Sequence, residues 1–325
     1  MARAHVVVVG SINCDITVRV AELPLPNQTV LGRGSSVTIG GKGLNQAAAA
    51  VSVGADVSFV GAIGDDYFSS QIVDYLSRTR IGTDHVRRLT SCSSGVAIIT
   101  VDDAGNNVIA VSPGANGEVT PAQVETAFGA ADNASVALIQ LEIPIETVAA
   151  TLALARARGV TTILNPAPAT REVLDCLPLV DILTPNEHEL AELTGTSVEE
   201  IEAGGAVLES ALVHLQALSG GTVLVTRGSQ GCTAFDGQAF LRLPAFQMPT
   251  VDTTGAGDVF NGTLAAALAT GSSLADAMRQ ASAAAAISIT RRSAENSAPS
   301  RVEVLALIAS LGGPDLERSE IVAKP

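Results

Sequence analysis

The sequence predicts an α/β fold in which helices flank a doubly wound, mainly parallel sheet that carries a small antiparallel β lid. From about residue 40 onward, short β-branched runs alternate with Ala-rich helical segments, which is typical of a parallel sheet with helical crossovers. Hydrophobic residues make up 47% of the 325 residues and charged residues only 16%, so the chain can bury a large core. Aromatic residues amount to 3%, and we therefore expect a core of Ala, Val, Leu and Ile.

The net charge and the cysteines disfavour several classes of protein. The chain has 19 Lys and Arg against 33 Asp and Glu, a formal charge of −14 at pH 7, which disfavours nucleic-acid binding through a basic surface. Its four cysteines are widely spaced without a CxxC motif, so we expect free thiols rather than a disulfide framework. The apolar runs at 6–9 and 281–289 are too short for a signal-peptide core or a membrane span. We expect a cytoplasmic protein with no membrane partner.

The first strand is predicted at 6–9, where four valines end at Gly10. Two segments, 12–38 and 95–111, contain short alternating runs separated by Pro, Gly and Asn, which is typical of exposed antiparallel strands with tight turns. These two segments are predicted to form the lid. The remaining strands of the main sheet are predicted at 57–60, 136–141, 161–164, 181–183 and 222–226, and antiparallel strands follow within 232–248.

Helices are predicted at 45–53, 144–157 and 187–193, and two or three more are expected after Gly257. We expect a single domain over residues 1–311. Residues 312–325 are mostly polar and include Pro, so we expect them to form a flexible C-terminal tail.

A glycine loop at 40–46 reads Gly-Gly-Lys-Gly-Leu-Asn-Gln. Glycine lets the backbone approach a ligand closely, and Lys42 and Asn45 supply donors for hydroxyl groups or an anion. The chain has only two lysines, Lys42 and Lys324, and the position of Lys42 between two glycines favours a ligand-binding role over a flexible turn. The spacing is not that of a P-loop.

A second glycine turn, at 252–258, reads Asp-Thr-Thr-Gly-Ala-Gly-Asp and opens an Ala-rich helix. Exposed amides and the helix dipole form an anion site at such a start. Asp258 lies in or just before the first turn, and one interpretation is that it simply caps the helix. A carboxylate beside an anion site also fits phosphoryl transfer, because the carboxylate takes a hydroxyl proton while the amides stabilise charge on the phosphoryl group.

Several motifs together resemble the PfkB-type, ribokinase-like family of sugar kinases, and the resemblance covers nearly the whole chain. The motifs are 10–15 (Gly-Ser-Ile-Asn-Cys-Asp), 40–46, 61–66 (Gly-Ala-Ile-Gly-Asp-Asp), 140–142 (Gln-Leu-Glu), 165–168 (Asn-Pro-Ala-Pro), 184–189 (Thr-Pro-Asn-Glu-His-Glu), 226–231 (Thr-Arg-Gly-Ser-Gln-Gly) and 252–258. The resemblance implies a ribokinase-like fold and ATP-dependent phosphorylation of a sugar, with Mg²⁺ as cofactor and K⁺ as activating monovalent cation.

The resemblance implies that Asp258 is the general base and that the amides of the preceding turn form an anion hole. These amides belong to Gly255, Ala256 and Gly257. The implied sugar-binding residues are Asn13, Asp15, Gly41, Lys42, Asn45, Glu142 and Asp258. Carboxylates and amides suit this role, since they make several directional hydrogen bonds to neighbouring hydroxyl groups.

The resemblance also implies a nucleotide site and a monovalent cation site. The nucleotide residues are Asn186, Glu189, Thr226, Gly228, Ser229, Gly231, Gly257 and Ser282. Of these, Asn186 and Glu189 would serve phosphate and Mg²⁺ through ordered water, although both also fit the first turn of a helix, and Ser282 stands where the family often has a histidine. The K⁺ residues, acting mostly through backbone carbonyls, are Asp252, Thr254, Ser288, Arg291, Ser293 and Ser297.

The expected reaction is phosphorylation of D-ribose at O5 to D-ribose 5-phosphate, because the sugar-binding residues match the ribose pattern of the family best. The lid segments contain no Phe, Tyr or Trp, which disfavours a nucleoside. A sugar phosphate would need further cations for its own phosphate, and only Lys42 is well placed, although Arg19 and Arg33 could contribute, so a neutral sugar is favoured. Deoxyribose, fructose or a nucleoside remains an alternative substrate, and a noncatalytic sugar-binding regulator remains an alternative function. Exposed lid edges predict a homodimer joined through the lids.

Overall fold

The computed structural model describes residues 5–131, 133–292, 297–311 and 314–320. The strands are β1 (His5–Val9), β2 (Asn13–Arg19), β3 (Gly34–Gly40), β4 (Asp56–Gly64), β5 (Ile81–Leu89), β6 (Gly95–Val101), β7 (Asn107–Ser112), β8 (Val136–Ile139), β9 (Thr161–Leu164), β10 (Ile182–Leu183), β11 (Thr222–Thr226), β12 (Cys232–Phe235), β13 (Ala239–Leu243) and β14 (Glu317–Glu320). The helices are α1 (Lys42–Ser52), α2 (Ser69–Arg78), α3 (Pro121–Ala130), α4 (Ile145–Ala157), α5 (Glu187–Thr194), α6 (Val198–Ala203), α7 (Gly205–Ser219), α8 (Ala256–Ala269), α9 (Leu274–Ser288) and α10 (Arg301–Leu311). Short 3-10 helices cover Gly114–Glu118, Arg171–Leu179 and Gly228–Gln230.

In the part of the chain that the structure describes, a ten-stranded sheet runs in the order β14-β13-β12-β11-β10-β9-β8-β1-β4-β5. Neighbouring strands from β11 across to β5 are parallel, whereas β12, β13 and β14 join in antiparallel orientation. The predicted α/β class and the mainly parallel sheet are confirmed. The antiparallel pair expected within 232–248 is β12 and β13.

Helices cover both faces of this sheet, and β1 shows why its sequence is continuously apolar. Val7 and Val9 belong to the core on one face of the sheet, and Val6 and Val8 to the core on the other. Successive side chains of a strand point to opposite faces, so a strand that is buried on both faces has no position for a polar residue.

Helices α1 and α8 pack closely on one face of the sheet, and Gly262 makes this approach possible. A Cβ atom at Gly262 would lie 2.2 Å from the Gln46 carbonyl oxygen and 2.7 Å from the Ala49 Cβ. Only glycine leaves room for the two backbones at this distance. Because Gly262 lies one turn after Asp258, the same contact brings Asp258 against the start of α1.

The lid is a four-stranded sheet of order β3-β2-β6-β7, and its strands coincide with the two predicted segments. The pairs β2–β3 and β6–β7 are antiparallel, as expected. The central pair β2–β6 is parallel, because both strands leave the main sheet from its carboxyl edge and run outward together.

The C-terminal region differs from the flexible tail that the sequence predicts for 312–325. Glu317–Glu320 forms strand β14 and pairs with β13 along the edge of the main sheet. An exposed, charged edge strand is compatible with a polar sequence, since only its backbone needs a partner. The rest of the predicted tail, apart from 314–316, lies outside the described residues.

No helix in the described part of the chain is both long enough and apolar enough to cross a membrane.

Candidate active site

The predicted site residues gather at the carboxyl edge of the parallel strands. Asn13 follows β1, Glu142 follows β8, Asn186 follows β10, and Thr226 ends β11. Strand β1 lies between β4 and β8, where the strand order reverses direction. Ligands of open α/β sheets bind in the crevice at such a point, so the topology itself brings these distant residues together.

Helix α1 begins at the first glycine loop, and Glu142 lies at its N-terminus. The Glu142 Oε2 atom accepts hydrogen bonds from Lys42 N at 3.1 Å and from Ser11 Oγ at 2.5 Å. Gly41 precedes the helix with φ of 96°, and a Cβ atom at Gly43 would lie 2.5 Å from Ser11 N. The close packing of this loop on the segment after β1 therefore requires the glycines. The Glu142 carboxylate accepts a hydrogen bond from a free amide at the start of the helix.

The Lys42 ammonium group interacts electrostatically with carboxylates from four parts of the chain. Burial by itself lowers the pKa of Lys42, but the charges of Asp258, Glu142, Glu189 and Asp15 outweigh burial and the pKa is raised. The lysine therefore stays charged and draws these carboxylates towards one pocket.

Asp15 lies in the same pocket, on the lid strand β2. Burial, followed by the negative charges of Glu142 and Asp258, raises the pKa of Asp15 to about 7, and Lys42 opposes the rise. The pocket therefore holds more negative than positive charge. It offers many acceptors to a neutral, hydroxyl-rich molecule and would repel an additional anion near Asp15.

Helix α8 begins at the second glycine turn, after Gly255 with φ of 77°. Asp258 lies in the first turn and is buried. Its Oδ2 atom accepts a hydrogen bond from Asn45 Nδ2 at 3.1 Å, and its Oδ1 atom accepts one from Gln46 Nε2 at 3.0 Å. The two glycine loops, more than 200 residues apart in sequence, thus meet at this carboxylate.

Burial raises the pKa of Asp258, whereas Lys42 and the hydrogen bonds from Gln46 and Asn45 lower it and Glu142 adds a small rise. A carboxyl group whose pKa is raised is a stronger base when it is ionised. Its burial and its side-chain partners distinguish Asp258 from an exposed helix-capping carboxylate.

The three predicted anion-hole amides are not equivalent. Ala256 N donates to the Thr253 carbonyl oxygen at 3.2 Å. Among the described residues, no side chain accepts a hydrogen bond from the amides of Gly255, Ala256 or Gly257. The start of α8 therefore remains available to an anion, with the Gly255 and Gly257 amides less engaged than that of Ala256.

Sequence reasoning gave no role to three polar residues that the structure places in or beside the pocket: Ser11, Gln46 and Asn116. Asn116 donates to Asn13 Oδ1 at 2.8 Å and also hydrogen-bonds both backbone groups of Ile12. The Asn13 amide nitrogen is thereby directed away from Asn116. Gln46 lies in the glycine loop at 40–46, which the sequence singles out. Asn116 lies on the 3-10 helix after β7, and no sequence motif marks it as a pocket residue.

On the nucleotide side, Asn186 and Glu189 form a capping box at the start of α5, with both hydrogen bonds at 2.8 Å. Burial raises the pKa of Glu189 to about 7, while the Asn186 hydrogen bond and Lys42 lower it. Glu189 is thus a helix cap that also interacts electrostatically with Lys42 and Asp258. Thr226 pairs with Asn186 in a parallel β-bridge, which joins the two predicted nucleotide segments.

The other predicted nucleotide residues differ in exposure. Gly228 and Ser229 are exposed just after β11. Gly231 has φ of 88°, and a Cβ atom there would lie 2.0 Å from the Leu243 carbonyl oxygen, so the packing of β13 alone requires glycine. Ser282 is buried, with its Oγ 3.6 Å from Cys232 Sγ. Its hydroxyl group therefore faces the core more than the surface.

The predicted K⁺ residues lie on two adjacent segments. Val251 N and Asp252 N donate to the Ile289 carbonyl oxygen at 2.7 and 3.1 Å, which holds 251–254 beside 288–291. The carbonyl oxygen of Ser288 accepts from Arg291 N at 3.0 Å, and that of Ser297 accepts from Arg291 Nη1 at 3.3 Å. Oxygen atoms are the ligands that suit a hard cation, so the donor type at these positions fits K⁺. Ser293 lies outside the described residues.

The start of α8 lies beside a buried carboxylate and a pocket whose groups can accept hydrogen bonds from hydroxyl groups. A kinase of small hydroxylated molecules requires these features. The model of the pfkB family carbohydrate kinases matches residues 3–301. The chain belongs to this family.

Individual relatives are similar over nearly their whole length. The chain is 34% identical to the ribokinase of Haemophilus influenzae over 303 residues, which cover 93% of this chain and 98% of the relative. The ribokinase structure from Thermotoga maritima has a TM-score of 0.84 and 34% identity, with 95% and 100% of the two chains covered. The Arabidopsis thaliana ribokinase complexed with ribose and ATP has a TM-score of 0.82 and 32% identity, with 95% and 99% covered.

Proposed function

We propose that this chain transfers the γ-phosphoryl group of ATP to O5 of D-ribose, giving D-ribose 5-phosphate and ADP. The observation that carries the proposal is the hydrogen bond of 3.1 Å between Asn45, in the predicted sugar loop, and the buried carboxylate of Asp258, at the predicted phosphate site. One carboxylate therefore faces both halves of the reaction. The similarity to a ribokinase complexed with ribose and ATP supports the same assignment.

The proposed reaction begins with proton transfer to Asp258. As its carboxylate accepts the O5 proton, O5 forms a bond to the γ-phosphorus and the bond from that phosphorus to the β–γ bridging oxygen breaks. The amides of Gly255, Ala256 and Gly257, together with the dipole of α8, stabilise the charge on the transferring group. ADP then leaves with the electron pair of the broken bond.

The proposed sugar site combines carboxylates that accept hydrogen bonds with amides and an ammonium group that donate them. The residues are Asn13, Asp15, Gly41, Lys42, Asn45 and Glu142. A pocket that bonds each hydroxyl group rejects an analogue that lacks one. The carboxylates around Lys42 favour a neutral sugar over a sugar phosphate, since a second phosphate would face Asp15 and Glu142. Deoxyribose and fructose are the neutral alternatives, and a nucleoside would need apolar surface for its base.

The test is a substrate panel with Mg-ATP, run on the parent protein and on Asp258→Asn. D-Ribose should give the highest kcat/KM among ribose, deoxyribose, fructose, inosine and ribose 5-phosphate. Asp258→Asn should lower kcat by about 10²- to 10⁴-fold, the usual contribution of a general base, because the amide cannot accept the proton. ADP release by Asp258→Asn at the rate of the parent protein would contradict the mechanism. A higher kcat/KM for another member of the panel would contradict D-ribose as the substrate.

We propose that ATP lies along the carboxyl ends of β10 and β11, against Asn186, Glu189, Thr226, Gly228, Ser229 and Gly231, with Ser282 near the adenine. Among the described residues, no three His, Cys, Asp or Glu side chains form a metal-binding cluster. A Mg²⁺ ion would therefore take most of its ligands from phosphates and water, which is its usual preference. It would neutralise phosphate charge, and Asn186 and Glu189 would orient its water ligands.

A monovalent cation, K⁺, is proposed between 251–254 and 288–297, held by oxygens of Asp252, Thr254, Ser288, Arg291, Ser293 and Ser297. This segment leads directly into the turn before α8. A cation bound there would restrict the turn that carries the anion-hole amides. Replacing K⁺ by Na⁺ should lower kcat, and equal rates in the two ions would contradict this assignment.

A homodimer through the lids is also proposed. Ile16 pairs with Val37 on β3 and with Ile98 on β6, so the three lie in one row on the face of the lid opposite Asp15. Val37 and Ile98 are 48% and 46% exposed, and a second copy would cover this aliphatic surface. Light scattering should give a mass near twice 32.9 kDa, and Ile98→Asp should halve it. A parent protein that remains monomeric at micromolar concentration would contradict the dimer.

A further inference from the structure

The two oxygens of the Asp258 carboxylate have different partners, and Oδ2 accepts a hydrogen bond from Asn45, one of the predicted sugar-binding residues. The other, Oδ1, accepts a hydrogen bond of 3.0 Å from Gln46 Nε2. Gln46 is fully buried on α1, and the same nitrogen donates to Asn165 Oδ1 at 3.0 Å. Gln46 therefore belongs to the protein interior behind the carboxylate rather than to the surface that a sugar would touch.

Gln140 fixes the orientation of the Gln46 amide. Gln140 Nε2 donates to Gln46 Oε1 at 2.5 Å, and Gln140 is also fully buried. An ionised carboxylate can only accept hydrogen bonds, so Gln46 must direct its nitrogen at Asp258 and its oxygen away. Because Gln140 occupies that oxygen, a rotation of the Gln46 amide would break three hydrogen bonds at once.

The network returns to α8 through a second path. Asn165 Nδ2 donates to the Thr184 carbonyl oxygen at 2.9 Å, and Thr184 Oγ1 donates to Asn261 Oδ1 at 2.6 Å. Asn261 Nδ2 then donates to the Gly257 carbonyl oxygen at 2.9 Å. All of these side chains are buried. Two chains of hydrogen bonds, one ending at Asp258 and one at Gly257, thus fix the first turn of α8 to the ends of β9 and β10.

We propose that Gln46 is a positioning residue for the base: it reserves Oδ1 of Asp258 and leaves Oδ2 as the atom that accepts the proton from the substrate hydroxyl. Gln140 acts one step further out, by setting the orientation of Gln46. This inference rests on the proposed kinase function.

The charges around Asp258 give the positioning a measurable consequence. Burial raises the pKa of Asp258, and the hydrogen bonds from Gln46 and Asn45 to the ionised form lower it. The charged groups that face Asp258 are Lys42 on α1, Glu142 after β8, Asp15 on the lid and Glu189 on α5. Loss of the Gln46 hydrogen bond should raise the pKa further, so that activity is lost at a higher pH as the medium is acidified.

The test compares Gln46→Met, Gln140→Met and a matched control, Gln123→Met. Gln123 is also buried, and it donates to the carbonyl oxygens of Gly61 at 2.6 Å and His85 at 2.7 Å, on other elements. All three variants lose a buried amide of the same size. Only the first two lose a part of the network behind Asp258, so the measurements are kcat, KM for ribose and the pH dependence of kcat.

For Gln46→Met we expect kcat to fall about 10- to 100-fold, with KM for ribose changed by less than about threefold, since the residue does not face the sugar. The acidic limb of the kcat profile should move upward by about one pH unit. Gln140→Met should move it in the same direction by less. Gln123→Met should lower Tm while the limb stays in place.

If Gln46→Met does not fold, Gln46→Glu keeps the side-chain volume and places a second carboxyl against Asp258. It should move the acidic limb further upward than the methionine, because two neighbouring carboxyl groups resist joint ionisation. An unshifted limb in a folded Gln46 variant would overturn the positioning role. A parent protein that does not phosphorylate ribose would instead contradict the proposed function, so the two failures are distinguishable.

Discussion

Helices α1 and α8 both begin after a glycine with positive φ, and both begin at the same pocket, yet their N-termini are satisfied differently. At α1, the Glu142 carboxylate accepts from Lys42 N, so this start already carries a negative charge. At α8, Gly255 has no side chain that caps the helix, and the Asp258 carboxylate in the first turn accepts from the side chains of Asn45 and Gln46 instead. An incoming phosphate would meet an amide already bonded to a carboxylate at the first start and a helix end without a side-chain cap at the second.

The comparison shows that a glycine turn before a helix does not by itself define a phosphate site. The tertiary contact decides, since Glu142 reaches α1 from 100 residues away. At α1 the glycines allow the loop to pack closely on the segment after β1. The pocket beside it is lined by groups that accept hydrogen bonds from hydroxyl groups. At α8 the glycines leave amides open beside a carboxylate.

The largest effect is expected from a methyl group at the packed start. Gly43→Ala would place Cβ 2.5 Å from Ser11 N and 2.7 Å from Gly10 Cα, and neither backbone atom can move far. We expect the free energy of unfolding to fall by about 3 kcal/mol, measured by urea denaturation.

The matched variant is Gly257→Ala, where no atom lies within 4 Å of the added Cβ. It should leave stability unchanged or raise it by about 0.5–1 kcal/mol through helix propensity, while kcat falls because the methyl group crowds the proposed phosphate position. Equal losses of stability in the two glycine variants would contradict the contrast between a packed and an open start.

A smaller effect is expected from removing the charge at α1. Glu142→Gln should lower stability by about 1 kcal/mol and raise KM for ribose about tenfold, because one strong hydroxyl acceptor becomes weaker. Glu146→Gln is the control, since Glu146 lies in the first turn of α4 and is exposed. An unchanged KM in Glu142→Gln would show that this helix start does not contribute to sugar binding.

The smallest effect is on the pH dependence of stability without ribose. The pKa of Asp15 is about 7 in the folded protein, raised from 3.8 by burial and then by Glu142 and Asp258. Between pH 4 and 7 the unfolded chain is ionised at this residue while the folded chain binds a proton, so Asp15 makes stability fall as pH rises through this window.

Asp15→Asn should therefore flatten the decrease in urea midpoint between pH 5 and pH 7.5. Asp102→Asn is a suitable control, because the pKa of Asp102 is lowered by hydrogen bonds from Asn106 and its titration falls below this window. Glu189 and Asp258 also have raised pKa values and should leave a smaller decrease in Asp15→Asn. A decrease as steep as that of the parent protein would contradict the raised pKa of Asp15.

Much of the fold could be predicted from local patterns. The valine run of β1, the alternation of strands and helices and the two lid segments all depend on periodicity and turn residues within a few positions. The polar segment 317–320 could not be recognised as β14, because an edge strand with exposed side chains has no apolar face to reveal it. The parallel pairing of β2 with β6 likewise depends on where both strands leave the main sheet.

The sequence by itself determined the two glycine loops, the lid segments and the choice of Asp258 as the candidate base, since each is encoded in contiguous residues. Only the tertiary structure decided which helix start stays open, which oxygen of Asp258 bonds the predicted sugar-binding residue Asn45, and that Ser11, Gln46 and Asn116 support the pocket. The physical reason is that a hydrogen bond between residues 100 to 213 positions apart exists only once packing has brought the helices together. In this chain Gly262 allows that approach, and the pocket forms where the two helices meet.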